Sequence, residues 1–131
     1  MKLTHVFYEI YELDYQALLG HEDDLFHALD REVRLDFDDA NSIWISWSSE
    51  PRQFCIGYWE KSQFKKPIPV ILNMSQAKLW HPLIGNNIEL EYNSSERDFL
   101  KIYGINYSLW CWAEGSEGSD VLHISNSLPE P

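Results

Sequence analysis

The stretch Val33-Arg34-Leu35-Asp36-Phe37-Asp38-Asp39-Ala40-Asn41-Ser42-Ile43-Trp44-Ile45-Ser46-Trp47 sets the architecture. Val33, Leu35 and Phe37 alternate with Arg34, Asp36 and Asp38, the period-2 pattern of a strand with one face buried. Asp38 to Asn41 supplies turn chemistry, because short polar side chains hydrogen-bond their own backbone. Ser42 to Trp47 alternates again, with Ile43, Ile45 and Trp47 on one face and Ser42, Trp44 and Ser46 on the other. Two alternating runs joined by a short polar turn make a β-hairpin. Ser48 to Pro51 is a second turn and Gln53 to Glu60 a third strand, so the unit is an antiparallel meander.

On the N-terminal side, Leu3 to Leu13 reads as a strand, although its apolar spacing also fits a helix. Asp14 is placed to cap a helical turn through Leu19, with Gly20 as the stop. On the C-terminal side, Lys61 to Pro69 is a loop, and Val70 to Leu72 a short edge strand beside Pro69. Asn73 or Ser75 is placed to cap a helical turn through Trp80 that Pro82 ends. Strands follow at Ile88–Tyr92, Phe99–Tyr103, Tyr107–Trp112 and Val121–Ser125. Asn93 to Asp98 and Ala113 to Asp120 are loops, and Asn126 to Pro131 is a tail. The expected fold is α+β and β-rich, with antiparallel meander sheets and one or two short helices.

An offset of 65 residues aligns the halves without gaps. Leu18-Leu19-Gly20 falls on Leu83-Ile84-Gly85, Leu35 on Leu100, Asn41 on Asn106 and Trp47 on Trp112. This points to an internal repeat, 14–60 and 75–125, with chance agreement as its rival. Under a repeat Asp23 to Leu29 is a strand; otherwise Glu22 to Leu29 reads as helical.

The 131 residues suit one domain, 1–131, able to bury a core without disulfides or metal. The net charge of −11 is lopsided. Residues 1–50 hold three Lys/Arg against twelve Asp/Glu, a net of −9. Such a field repels a phosphate backbone, so direct nucleic-acid binding is not expected, and it attracts a basic partner. Solubility alone is the plainer reading of the same charge. Cys55 and Cys111 lie in apolar runs with no CxxC and read as reduced core thiols. The start of the chain lacks the cationic-then-apolar order of a signal peptide, and no apolar run approaches the ~20 residues of a membrane helix. A cytoplasmic setting without a membrane is the expectation.

No phosphate-cradling glycine loop, GxSxG or HExxH occurs. Asp36-Phe37-Asp38-Asp39 fails the calcium-loop pattern, since Ala40, Asn41 and Trp47 stand where a ligand, a glycine and an acid are needed. His21-Glu22-Asp23-Asp24 with His27 matches no defined metal spacing. Glu89 and Glu91 share one strand face with no third group in view. These clusters read better as solvated faces, so no catalytic residue, metal or cofactor is expected. Six tryptophans need explaining. Most belong in a core, but Trp44 alternates onto the face opposite Ile43 and Ile45, where it is either partly exposed, and so able to anchor a protein partner, or covered by another layer.

The Leu-Leu-Gly and Leu-Ile-Gly segments, the acidic hairpin Leu35 to Trp47 and the many tryptophans together resemble the small acidic immunity proteins of bacterial contact-dependent inhibition and related polymorphic toxin systems. That resemblance implies a non-enzymatic inhibitor that occludes one cognate toxin, often a basic nuclease. Carboxylates would stand in for substrate phosphates, and aromatics would anchor the centre. The contacts expected on this reading are Asp23, Asp24, Asp36, Asp38, Asp39 and Trp44. The alternatives are a structural or adaptor domain, self-associating through a strand edge, and a small enzyme or ligand binder.

Overall fold

The computed structural model describes residues 1–48, 55–64, 67–116 and 119–128. Among the described residues ten strands form two antiparallel sheets. The first contains β1 (Leu3–Ile10), β3 (Glu32–Phe37), β4 (Ser42–Ser48), β5 (Cys55–Trp59) and β6 (Val70–Asn73), in the order β5-β4-β3-β1-β6. The second contains β2 (Phe26–Leu29), β7 (Glu89–Tyr92), β8 (Leu100–Tyr103), β9 (Ser108–Ser116) and β10 (Ser119–Ser125), in the order β2-β10-β9-β8-β7. One helix, α1 (Glu12–Leu18), follows β1, and a 3-10 turn covers His81–Leu83. No helix among the described residues is long and apolar enough to cross a membrane.

The meander expected from the opening stretch is present. Val33 faces Ile45, Leu35 faces Ile43 and Asp36 faces Ser42 across β3 and β4, and β5 then pairs with β4. The ambiguity of residues 3–13 has a physical source. A β-bulge between Leu3 and His5 shifts the register, so Leu3 and Val6 both point inward although three residues apart. That spacing imitates a helix face inside a strand.

Three expectations are corrected and one open alternative is settled. Residues 75–80 form turns, and the helical turn begins at His81, with Pro82 inside it. Proline is tolerated in a first turn, where its missing N–H has no bond to make. Asp14 does not cap α1, whose N-cap is Tyr11; its carboxylate accepts the Asp30 N–H at 2.8 Å. Ala113 to Asp120 is not wholly loop, because β9 and β10 continue through Gly115 opposite Asp120 to Ser116 opposite Ser119. Backbone pairing needs no apolar side chains, so the polar composition misleads there. Residues 26–29 are strand, His27 and Leu29 inward and Phe26 and Ala28 outward, which settles the alternative left open for that segment.

Gly20 and Gly85 both adopt φ +84, each just after a helical turn that ends in Leu18 or Leu83. The next residue closes both turns alike, His21 N–H to Leu18 C=O and Asn86 N–H to Leu83 C=O. The 65-residue correspondence slips at the hairpins. The first turns between Asp36 and Ser42, the second between Tyr103 and Ser108, one residue shorter.

The inward faces of both sheets share one core. Val6, Tyr8, Leu35 and Ile45 from the first belong to the same cluster as Leu100, Ile102, Leu109, Leu122 and Ile124 from the second. Each such fully buried side chain contributes ~1.5–3 kcal/mol of transfer free energy. Cys55 and Cys111 are both buried.

Candidate functional site

The six residues singled out from the sequence do not form one patch. Asp23 and Asp24 lie in the connection between α1 and β2. Asp23 accepts the Lys78 N–H at 3.1 Å, and Asp24 sits 3.2 Å from His21 Nδ1. Asp38 and Asp39 lie in the turn between β3 and β4. Asp38 accepts the Lys2 backbone N–H at 3.0 Å, and Asp39 accepts from the Asn41 amide. All four are exposed. Asp36 is different. Its carboxylate accepts from Ser42 Oγ at 2.7 Å and pairs with Arg34 Nε at 3.2 Å, so its charge is compensated within the fold.

Trp44 does lie on the outer face of the first sheet, but that face is internally satisfied. Arg34 pairs with Glu9 at 2.9 Å, and the same carboxylate accepts the Trp44 indole N–H at 3.1 Å. The Arg34 guanidinium stands 4.4 Å from the centre of the Phe7 ring, a cation–π contact. At the other end of the face, buried Glu32 accepts from Ser62 Oγ and from the Gln63 N–H, which fastens the loop after β5 over the sheet. Burial pushes the Glu32 carboxyl above its usual range despite those bonds. Arg31, 2% exposed, lies between the Tyr11 and Phe64 rings and donates to Pro67 C=O.

The outer face of the second sheet is built otherwise. Strand alternation sends Leu100, Ile102, Leu109 and Cys111 into the core, and Lys101, Tyr103, Trp110 and Trp112 outward. Cross-strand pairing then sets the outward residues in rows. Glu91, Lys101 and Trp110 form one, Glu89 and Tyr103 the next, and Trp112 with His123 a third on the other side. The third row is an aromatic cluster: Trp112 stacks on His123 at 5.3 Å, and Phe26 and Phe99 each lie 6.0 Å from Trp112. Carboxylates edge this surface. Glu114 reaches His123 at 3.4 Å, and the Tyr103 hydroxyl is 3.0 Å from both Glu89 and Glu91. Those two acceptors push the Tyr103 phenol up to about 12.

A cavity of about 120 Å³ opens between Phe99, Trp110, Leu128 and Glu91. It is below the ~300–1,000 Å³ of a small-molecule pocket. Asp14 and Asp30 also have carboxyls raised by burial, but neither lines this cavity or the clefts beside Trp44 and Ile105. Among the described residues no three His, Cys, Asp or Glu side chains gather to hold a metal ion.

The sequence held a signal for this face that the hairpin overshadowed. Trp110 and Trp112 alternate with Leu109 and Cys111 as Trp44 alternates with Ile43 and Ile45. No family model, curated protein or solved structure matches the chain.

Proposed function

We propose that this protein is a binding inhibitor, an immunity protein that neutralises a basic toxin domain by covering its active surface. The contact face on this reading is the outer side of the second sheet. The observation that carries it is an aromatic surface, with Phe26, Phe99, Tyr103 and Trp110 outward around the buried Trp112, edged by Glu89, Glu91 and Glu114 on a chain of net charge −11. Aromatic anchors in a partly desolvated centre supply most of the energy in protein interfaces, and peripheral charge sets partner choice and association rate. On the first sheet Arg34 pairs with both Glu9 and Asp36, and Glu9 accepts from Trp44, so on this reading Asp36 and Trp44 serve the fold. Asp23, Asp24, Asp38 and Asp39 add to the long-range attraction.

Calorimetric titration against any basic toxin domain found encoded beside this gene tests the reading. Tight one-to-one binding is expected. Trp110→Ala is expected to weaken it by about 100-fold, an aromatic anchor contributing ~2–4 kcal/mol. Absence of binding by the unaltered protein, or an undiminished affinity in Trp110→Ala, would overturn it.

A further inference from the structure

Among the described residues, strand β6 is the outermost strand of the first sheet, hydrogen-bonded to β1 on one side only. Edge strands are ordinarily guarded by charge, by proline or by cover, and here the prolines, Pro67 and Pro69, precede the strand instead of lying in it. In a chain with 21 acidic and 10 basic residues, Val70-Ile71-Leu72-Asn73 carries no charge at all. Its outward apolar groups are uncovered: Ile71 is 53% exposed and the preceding Ile68 91%. Leu13, on the neighbouring α1, is 82% exposed.

The backbone direction at this edge is settled by one bond. Met74 N–H donates to Val6 C=O at 2.8 Å, so alternation turns the N–H and C=O of Leu72 and Val70 toward β1. Those of Ile71 and Asn73 face the open side. Side-chain alternation adds a second constraint. Ile71 lies opposite Glu9 and Asn73 opposite Phe7, both on the outer face, whereas Leu72 lies opposite Tyr8 on the core face.

We infer that a second copy of this chain pairs with this edge, β6 against β6, antiparallel about a twofold axis perpendicular to the sheet. Such an axis keeps outer faces on one side, so outer residues must meet outer residues. With Leu72 opposite Leu72 of the second copy, Ile71 of each chain faces Asn73 of the other. Every outward-turned N–H and C=O of Ile71 and Asn73 then finds its counterpart. The two five-stranded sheets become one continuous antiparallel sheet, and the interface is isologous. The occupant follows from charge and from shape. A basic partner is drawn to the carboxylates elsewhere on the surface, and this uncharged edge lets two copies of net charge −11 meet without opposing carboxylates along it. This surface is separate from the aromatic face of the second sheet and does not depend on its role.

Sedimentation of the full chain between micromolar and about 1 mM tests the pairing. A mass rising toward twice 15.5 kDa is expected, with Ile71→Lys weakening association by at least tenfold and Ile105→Lys, on the distant β8–β9 turn, leaving it unchanged. Amide exchange read by NMR separates edge pairing from any other contact. The Ile71 and Asn73 amides are expected to gain protection as concentration rises, and to lose that gain in Ile71→Lys. A chain that stays at 15.5 kDa throughout, or a dimer whose Ile71 and Asn73 amides exchange as in the monomer, would overturn the inference.

Discussion

The Trp80 indole N–H donates to the Tyr8 hydroxyl across 2.7 Å, in the buried interior and over 72 residues of chain. The same hydroxyl lies 2.7 Å from His27 Nδ1, so one phenol ties β1 to β2 and to the turn before the 3-10 segment. Burial raises the Tyr8 phenol well above its ordinary value, so it stays protonated. Tyr8→Phe removes the shared partner and leaves two buried polar nitrogens unmatched. A loss of ~2–3 kcal/mol in urea unfolding is expected.

His27 also sets a pH dependence. Burial lowers its pKa from 6.5, so the folded form holds it neutral while the unfolded chain still binds a proton. The unfolded state therefore binds more protons below pH 6.5, and stability falls as the pH drops from 6.5 toward the folded pKa. Glu32 works with the opposite sign. Its carboxyl is raised above 4.5, so the folded state binds more protons there, and stability falls as pH rises from 4.5 through the folded value. Unfolding free energies between pH 4 and 8 check both. His27→Gln is expected to remove the slope just below pH 6.5, and Glu32→Gln the slope above 4.5.

Arg34 holds Glu9 and Asp36 together on the outer face of the first sheet. Arg34→Met leaves the nearly buried Glu9 carboxylate without its cation. Breaking a fully buried pair costs ~3–5 kcal/mol, and the partial exposure of Arg34 reduces that here to ~2–3 kcal/mol. Thermal unfolding reads the loss. Asp36→Asn costs less, since Ser42 still donates to it.

At Gly57 an added Cβ would stand 2.7 Å from Trp59 Cη2. Gly57→Ala therefore forces the indole off the sheet. Because the obstruction is the far end of a partly exposed side chain, the expected penalty is only ~1 kcal/mol, with a red shift in tryptophan emission.

Cys111 is fully buried, and burial pushes its thiol far above the usual range, so no thiolate is offered to a reagent. Cys55 is enclosed as well. Neither cysteine is expected to react with a disulfide reagent in the native protein, and both are expected to react in denaturant. Prompt reaction of one equivalent under native conditions would contradict this arrangement.

The strands from Val33 to Trp47 were readable because strict alternation with a polar turn between leaves the backbone one economical arrangement. Gly20 was readable as a stop because φ +84 suits glycine at little strain, whereas Pro82 reads as the end of the second turn, which in fact ends just before Gly85. The segments that misled did so for local reasons: a bulge that imitates helical spacing at Leu3 and Val6, a proline admitted to a first turn at Pro82, and a polar hairpin continued by backbone bonds through Gly115. Of the candidate site, Trp44 was placed on the right face. What the sequence missed is that Arg34 and Glu9 occupy that face, and that Trp110 on the second sheet stays partly exposed while Trp112 is buried.

Short-range order in this chain follows from the residues themselves. Alternation, turn chemistry and glycine placement act over a few positions, so two antiparallel meanders and an excess of acid are present before any folding. Which strand lies beside which, β1 next to β6 or β2 next to β10, is decided only when distant apolar faces compete for one core. The same packing decides which carboxylates remain free, because Coulomb and hydrogen-bond partners depend on distance in space and not along the chain.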